Sequence, residues 1–245
     1  MRWILLRGLA REQAHWGSFL PQIREAFPDH QFFPVDLPGT GVHFKEASPT
    51  TIADIRRHVQ AQVAHIPKPY SVLALSLGGM VALDWAQHVL EGEIQQLVLI
   101  NTSSGFSPPW QRMKPGAWPR LLRIAGRRDL FRRERDILSL SSNLPISQTV
   151  AKQWYSIQRQ RPVTATNALR QIAAAARFRP GSKRPLTNAL LLTSAGDRLV
   201  DWRCSQALES RWQWTLKRHP DAGHDLPLDD TAWIIRQLRS YLDGE

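Results

Sequence analysis

The stretch "LALSLGGM", residues 73–80, places Ser76 between a run of strand-forming residues and a pair of glycines that open a helix. A strand-to-helix junction this tight strains the backbone of its central residue, and the helix has to pack close behind it. The positions two before and two after the serine therefore need small side chains. Ala74 and Gly78 fill them. The Ser76 hydroxyl then stands clear of the strand tip, and the first N–H groups of the helix point toward any negative oxygen placed beside it. The same residues also read as a plain Ser-Leu-Gly-Gly turn, so the remainder of the chain has to decide between nucleophile and turn.

Short apolar runs alternate with longer amphipathic stretches on both sides of this junction. The pattern predicts strands over 3–8, 31–39, 70–76, 95–101, 187–197 and 212–219, and helices over 11–27, 50–65, 77–90, 201–210 and 229–242. That rhythm is α/β: a mostly parallel sheet of about six strands flanked by helices, within a single domain spanning 1–245. Ligands of such sheets bind beyond the carboxyl ends of the strands. The rhythm breaks between Asn101 and Thr187, where a segment rich in Arg, Trp and Pro contains no buried-strand run. Residues 103–184 are expected to form a helical lid over the strand ends, inserted after the fourth strand.

A serine hydroxyl is a weak nucleophile; it needs a base, and the base needs an acid to fix its tautomer. Asp197, in "SAGDRLVD", ends the next-to-last predicted strand, and His224, in "HPDAGHDLPLDD", lies just past the last. Asp201 is an alternative acid but sits better as a helix cap, and Asn101 holds an amide where some hydrolases carry the acid. His219 is expected to be structural. The histidines at 15, 30, 43, 58, 65 and 88 read as solvated or packing residues without a partner, and Asp36, Asp225 and Asp229 as turn and cap residues.

Serine, acid and histidine in this chain order, each at a strand's carboxyl end, resemble the α/β-hydrolase family over nearly the whole length, with "LPGTG", "ALSLGG", "GDRLV" and "GHDLPL" as the matching motifs. The resemblance implies Ser76 as nucleophile, His224 as base and Asp197 as its acid. It also implies an oxyanion hole made by the N–H groups of Leu77 and of Leu9 in "LLRGLA". The family usually has His-Gly where this chain has Arg7-Gly8; the guanidinium is expected to salt-bridge within the fold rather than anchor a substrate carboxylate. "VDLPGTG", "SLGG" and "NTSSGFSP" resemble in particular the pimeloyl-acyl-carrier-protein methyl ester carboxylesterases. That likeness implies ester hydrolysis, with cap arginines holding the carrier protein. Small lyases of menaquinone synthesis typically carry Arg after the two glycines, and Met80 stands there instead.

Composition bounds the reading. Of 245 residues 42% are hydrophobic and 22% charged, ordinary for a globular chain with a sizeable core. A single cysteine, Cys204, offers neither an internal disulfide nor a thiolate metal cluster, so a reducing, cytoplasmic setting is expected. The apolar run after Trp3 is too short for a signal peptide or a membrane span. No metal or organic cofactor is expected. The net charge of +11 is concentrated: residues 105–184 hold seventeen Lys/Arg against three acids. Such a surface is expected to attract an acidic partner such as an acyl carrier protein; no nucleic-acid module accompanies it. Arg123, Arg127 and Arg132, together with Trp16, are the candidate substrate- or partner-binding residues. Leu121, Leu122, Leu130, Phe131, Ile137 and Leu138 are expected to pack inward, and Trp110, Trp118 and Trp154 to pack within the lid.

Overall fold

A computed structural model describes residues 1–90 and 92–244. Six strands, β1 (Arg2–Leu6), β2 (Gln31–Val35), β3 (Tyr70–Leu75), β4 (Ile94–Ile100), β5 (Leu190–Ser194) and β6 (Thr215–His219), form one sheet in the order β2-β1-β3-β4-β5-β6. Every pairing is parallel. Parallel strands are joined by crossovers that cover both faces, which is why these strands read as unbroken apolar runs.

The two faces separate by alternation along each strand. Ile4, Leu6, Val72, Ala74, Leu97, Leu99 and Leu191 point to one side, and pack with α2 (Ile52–Gln62), α3 (Leu77–Gln87) and α9 (Arg203–Trp212). Trp3, Leu5, Leu73, Leu75, Val98, Ile100, Leu190 and Leu192 point to the other. There they meet α1 (Phe19–Ala26) and α11 (Thr231–Asp243). The helix expected over 11–27 is divided: a 3-10 turn at Gln13–Trp16 precedes α1, with Gly17 at φ 48° between them. The strand expected over 212–219 is shorter, because Trp212 still belongs to α9 and Gln213 ends that helix in a left-handed conformation.

Between β4 and β5 the chain forms α4 (Pro109–Arg112), α5 (Trp118–Ala125), α6 (Leu130–Ser141), α7 (Gln148–Gln160) and α8 (Ala165–Arg177). Leu138, Ala151 and Trp154 form a small core between α6 and α7, joined by Leu228 of α10 (Leu226–Asp229). Ala174 and Phe178 carry α8 into the main core. Leu122 departs from expectation: it is 70% exposed, and Ile124 is the residue of α5 that is buried. Trp110 and Trp118 are likewise exposed rather than packed, whereas Trp154 is buried.

Candidate active site

Ser76 is the single residue between β3 and α3, and it has φ 56° and ψ −115°. A β-strand and a helix meeting across one residue leave it little choice of conformation, and a non-glycine residue with positive φ stores strain there. The surrounding packing holds it. A side chain at Gly78 would place its Cβ 2.6 Å from the Arg7 carbonyl and 2.7 Å from that of Leu6, so only glycine lets α3 start this close to β1. The backbone N–H of Ser76 donates to Ile100 O at 2.9 Å, and the Ser76 carbonyl accepts from Met80 N at 3.2 Å. Gly8 faces the serine side chain, with a hypothetical Cβ 3.2 Å from Ser76 Cβ and 3.7 Å from Oγ. The loop after β1 therefore lies against the hydroxyl. Among the described residues the amides of Leu9 and Leu77 donate no backbone hydrogen bond; Leu77 opens α3, where the first N–H groups lack an intrahelical acceptor.

Asp197 and His224 are brought together at 2.7 Å, Oδ2 to Nδ1. Asp197 is buried beyond the end of β5, and its Oδ1 accepts the N–H groups of Leu199 at 2.7 Å and Val200 at 3.0 Å. The carboxylate is thereby fixed in rotation, with one oxygen on the backbone and the other on the imidazole. Burial pulls the His224 pKa down, but the charge and hydrogen bond of Asp197, with the nearby Asp225, outweigh it and leave the pKa above 6.5. Among the described residues no hydrogen bond joins His224 to Ser76 Oγ, although both lie at the carboxyl edge of the sheet. In a serine–histidine pair this contact commonly tightens only around a reacting substrate.

Asn101, which follows β4, supplies an anchor that the sequence reading left unused. It has φ 46°, and its amide nitrogen donates to His224 O at 2.9 Å and Gly223 O at 3.3 Å while its Oδ1 accepts from Ser194 N at 2.9 Å. One buried side chain thus ties the His224 loop to the ends of β4 and β5.

Arg7 forms a bidentate ion pair with Asp225, Nη1 to Oδ1 at 3.0 Å and Nη2 to Oδ2 at 2.6 Å, with both side chains almost wholly buried. The guanidinium also lies 4.9 Å from the ring centroid of Trp16. Asp225 is thus an ion-pair partner rather than a cap, since its carboxylate caps nothing in α10. Trp16, at 2% exposure and packed on Phe19, lies within the core rather than on an open surface.

The residues after Gly8 are gripped by the segment between β4 and β5. Arg11 pairs with Glu134 of α6 at 2.7 Å, Glu12 pairs with Arg161, and Gln171 of α8 accepts from Ala10 N at 2.9 Å. His15 is buried in the same contact, 3.1 Å from Arg11 and edge-on to Trp154, where burial and the arginines hold its pKa well below 6.5. Lys114 donates to the Asp197 carbonyl at 2.6 Å. Arg123 and Arg127 converge on Asp136, and Arg132 lies 4.0 Å from Asp129, so these three are exposed or half-exposed but not unpaired. Two of the histidines expected to be solitary, His43 and His58, share Glu46, and His219 pairs with Asp230. Asp201 accepts from Arg203 N at 2.9 Å at the start of α9. A groove of about 530 Å³ lined by Arg24, Asp36, Gln62 and His65 touches none of Ser76, Asp197 or His224.

The sequence model of the alpha/beta hydrolase family matches residues 3–237. The chain belongs to the alpha/beta hydrolase family. Within it, the pimeloyl-[acyl-carrier protein] methyl ester esterase of Nitrosomonas europaea is 30% identical over 103 residues, 42% of this chain and 38% of that one. The alignment thus spans well under half of that esterase. A protein of Cronobacter sakazakii provisionally named carbamate hydrolase RutD is 28% identical over 210 residues, 84% of this chain and 76% of its own. Among solved structures, an esterase of Exiguobacterium antarcticum superposes with a TM-score of 0.79 at 12% identity, covering 100% of this chain and 92% of that one. The Exiguobacterium structure shares the fold described above.

Two measurements follow from the charges at this site. His224 should titrate above pH 6.5 by nuclear magnetic resonance, and Asp197→Asn should lower the midpoint; a midpoint below 6.5 in the wild type contradicts the assignment. Because the folded pKa is raised, this pair contributes stability that is complete below the unfolded value and is lost as pH rises through the folded one. Asp225→Ala should destabilise the fold by about 3–5 kcal/mol in denaturant titration, since it strands a buried guanidinium. Arg7→Met combined with Asp225→Leu should recover much of that loss, and a double variant as unstable as the sum of its singles would refute the pairing.

Proposed function

We propose that this alpha/beta hydrolase cleaves a carboxylic ester through an acyl-enzyme formed on Ser76. The observation that carries the reading is the strained Ser76 at a strand-to-helix junction, in one chain with an imidazole whose Nδ1 is held by a buried carboxylate at 2.7 Å. Ser76 Oγ attacks the ester carbonyl while His224 Nε2 takes its proton. Asp197 accepts the Nδ1–H, so the neutral imidazole presents a lone pair at Nε2, and the imidazolium that forms is stabilised beside a carboxylate. The amides of Leu9 and Leu77 receive the oxyanion. His224 then returns the proton to the leaving alcohol and activates water for deacylation.

The finer substrate is an acyl chain carried as a methyl ester on an acidic carrier protein, as the partial likeness to the Nitrosomonas enzyme suggests. The basic segment supports an acidic partner: Arg120, Arg123, Arg128, Arg132 and Arg135 all lie exposed on or beside α5 and α6. Residues 103–184 act in this reading as a lid, with the arginines as its docking face. A carbamate is the second reading, favoured by the longer alignment with the Cronobacter protein.

Labelling by a fluorophosphonate probe tests the nucleophile. The wild type should label and Ser76→Ala should not, with ester turnover down by about a thousandfold or more; equal labelling of both removes Ser76 from the reaction. On the labelled protein, turnover of a carrier-bound methyl ester, the free methyl ester and a carbamate ranks the substrates. Arg123→Glu, Arg127→Glu and Arg132→Glu together should weaken use of the carrier-bound ester while sparing a small p-nitrophenyl ester. Equal loss of both would defeat the docking role.

A further inference from the structure

We infer that His43, Glu46 and His58 form a surface site for a divalent transition metal ion of the Zn²⁺ type, separate from the Ser76 region. Two imidazoles and a carboxylate are the borderline nitrogen and oxygen donors that such ions prefer. They come from two elements: His43 and Glu46 from the turns that follow Thr40, and His58 from the middle of α2. One ligand atom of each lies within 4.8 Å of the other two. Nδ1 of His43 is 2.7 Å from Glu46 Oε1, and Nε2 of His58 is 2.8 Å from Oε2, with the two rings edge to face at 4.7 Å.

A metal ion needs donors at about 2.0–2.2 Å, which sets them roughly 3.2–3.5 Å apart around a tetrahedron. Three donors within 4.8 Å of one another lie near that spacing, and Glu46, whose side chain is 48% exposed, can turn outward to admit an ion between them. The hydrogen bonds that now occupy Glu46 lie where the ion would enter. Each imidazole donates one N–H to the carboxylate, and each would move that proton to its other nitrogen on ligating. For His58 the other nitrogen is Nδ1, 3.1 Å from Gln62 Nε2, which also donates to Asp36 O at 2.9 Å; ligation would release the first contact and leave the second in place. The ammonium of Lys45 is directed over the Phe44 ring, and among the described residues no Lys or Arg pairs with Glu46.

The frame around the site is already rigid. Gly39 N donates to His43 O, Glu46 N donates to His43 O at 2.9 Å, and Val42 N donates to Asp36 Oδ2 at 2.9 Å. The same loop is the platform on which α8 rests: Asn167 donates to Glu46 O at 2.9 Å and accepts from Ser48 N at 3.0 Å, and Arg170 donates to Ser48 O. A bound ion would tie this loop to α2 and so brace the platform on which α8 rests, without touching the proposed nucleophile.

Isothermal titration of the chelator-treated full chain with Zn²⁺ tests the site. The wild type and Ser76→Ala should each take up one ion and show a raised melting temperature at saturation. His58→Ala and His43→Gln, checked for native circular dichroism, should each bind roughly tenfold or more weakly and lose the thermal shift. Absence of saturable uptake by the wild type overturns the inference. So does uptake that both histidine variants retain, because it places the ion elsewhere.

Discussion

The backbone at Ser76 is the constraint from which the rest of this site takes its form. One residue joins the last position of β3 to the first of α3, and it is held at φ 56° although it carries a side chain. A strained residue of this kind persists only where its neighbours leave no alternative. Gly78 supplies close contact with the β1 carbonyls, β4 accepts the Ser76 N–H, and Gly8 leaves room for the hydroxyl itself. Relaxing any of these would let the junction swing toward ordinary helix or strand geometry, with the hydroxyl turning with it.

Around that junction the loops are tied by buried polar contacts as well as by apolar packing. Arg7 and Asp225 join the loop after β1 to the loop carrying His224, and Asn101 joins that second loop to the sheet. A buried ion pair adds little net stability compared with a well-packed apolar pair, because both charges lose their hydration; its strength lies in the cost of breaking it. Such a tie fixes relative position. The guanidinium suits this role: its bidentate fork matches the carboxylate of the residue next to His224, which an imidazole cannot do.

The fold was largely legible in the sequence because parallel strands covered on both faces leave continuous apolar runs, and "VLALSLGG" adds a junction whose small residues have a steric reason. Element ends were less so. Gln213 terminates α9 in a left-handed conformation without the glycine that usually signals such an end, so Trp212 read as strand. Leu122 and Ile124 differ only in which side of α5 meets a neighbour, and a short helix with apolar residues on several faces does not disclose that. The ion partners were hidden for a different reason. Arg7 and Asp225 are 218 residues apart, Arg11 and Glu134 are 123 apart, and nothing local marks either pair. The histidines of the Glu46 cluster looked solitary because their common carboxylate faces them only once the turns after Thr40 lie against α2.

The central claim is that Ser76, His224 and Asp197 act as one unit, and the non-additivity of their removal tests it most directly. Ester turnover would be measured for Ser76→Ala, Asp197→Ala and the double variant. If the three groups work together, the double variant retains the same residual rate as Ser76→Ala alone, since an acid that serves only the serine's base has nothing left to support. Losses that multiply, with the double variant slower than Ser76→Ala by the full factor that Asp197→Ala costs by itself, would contradict the account.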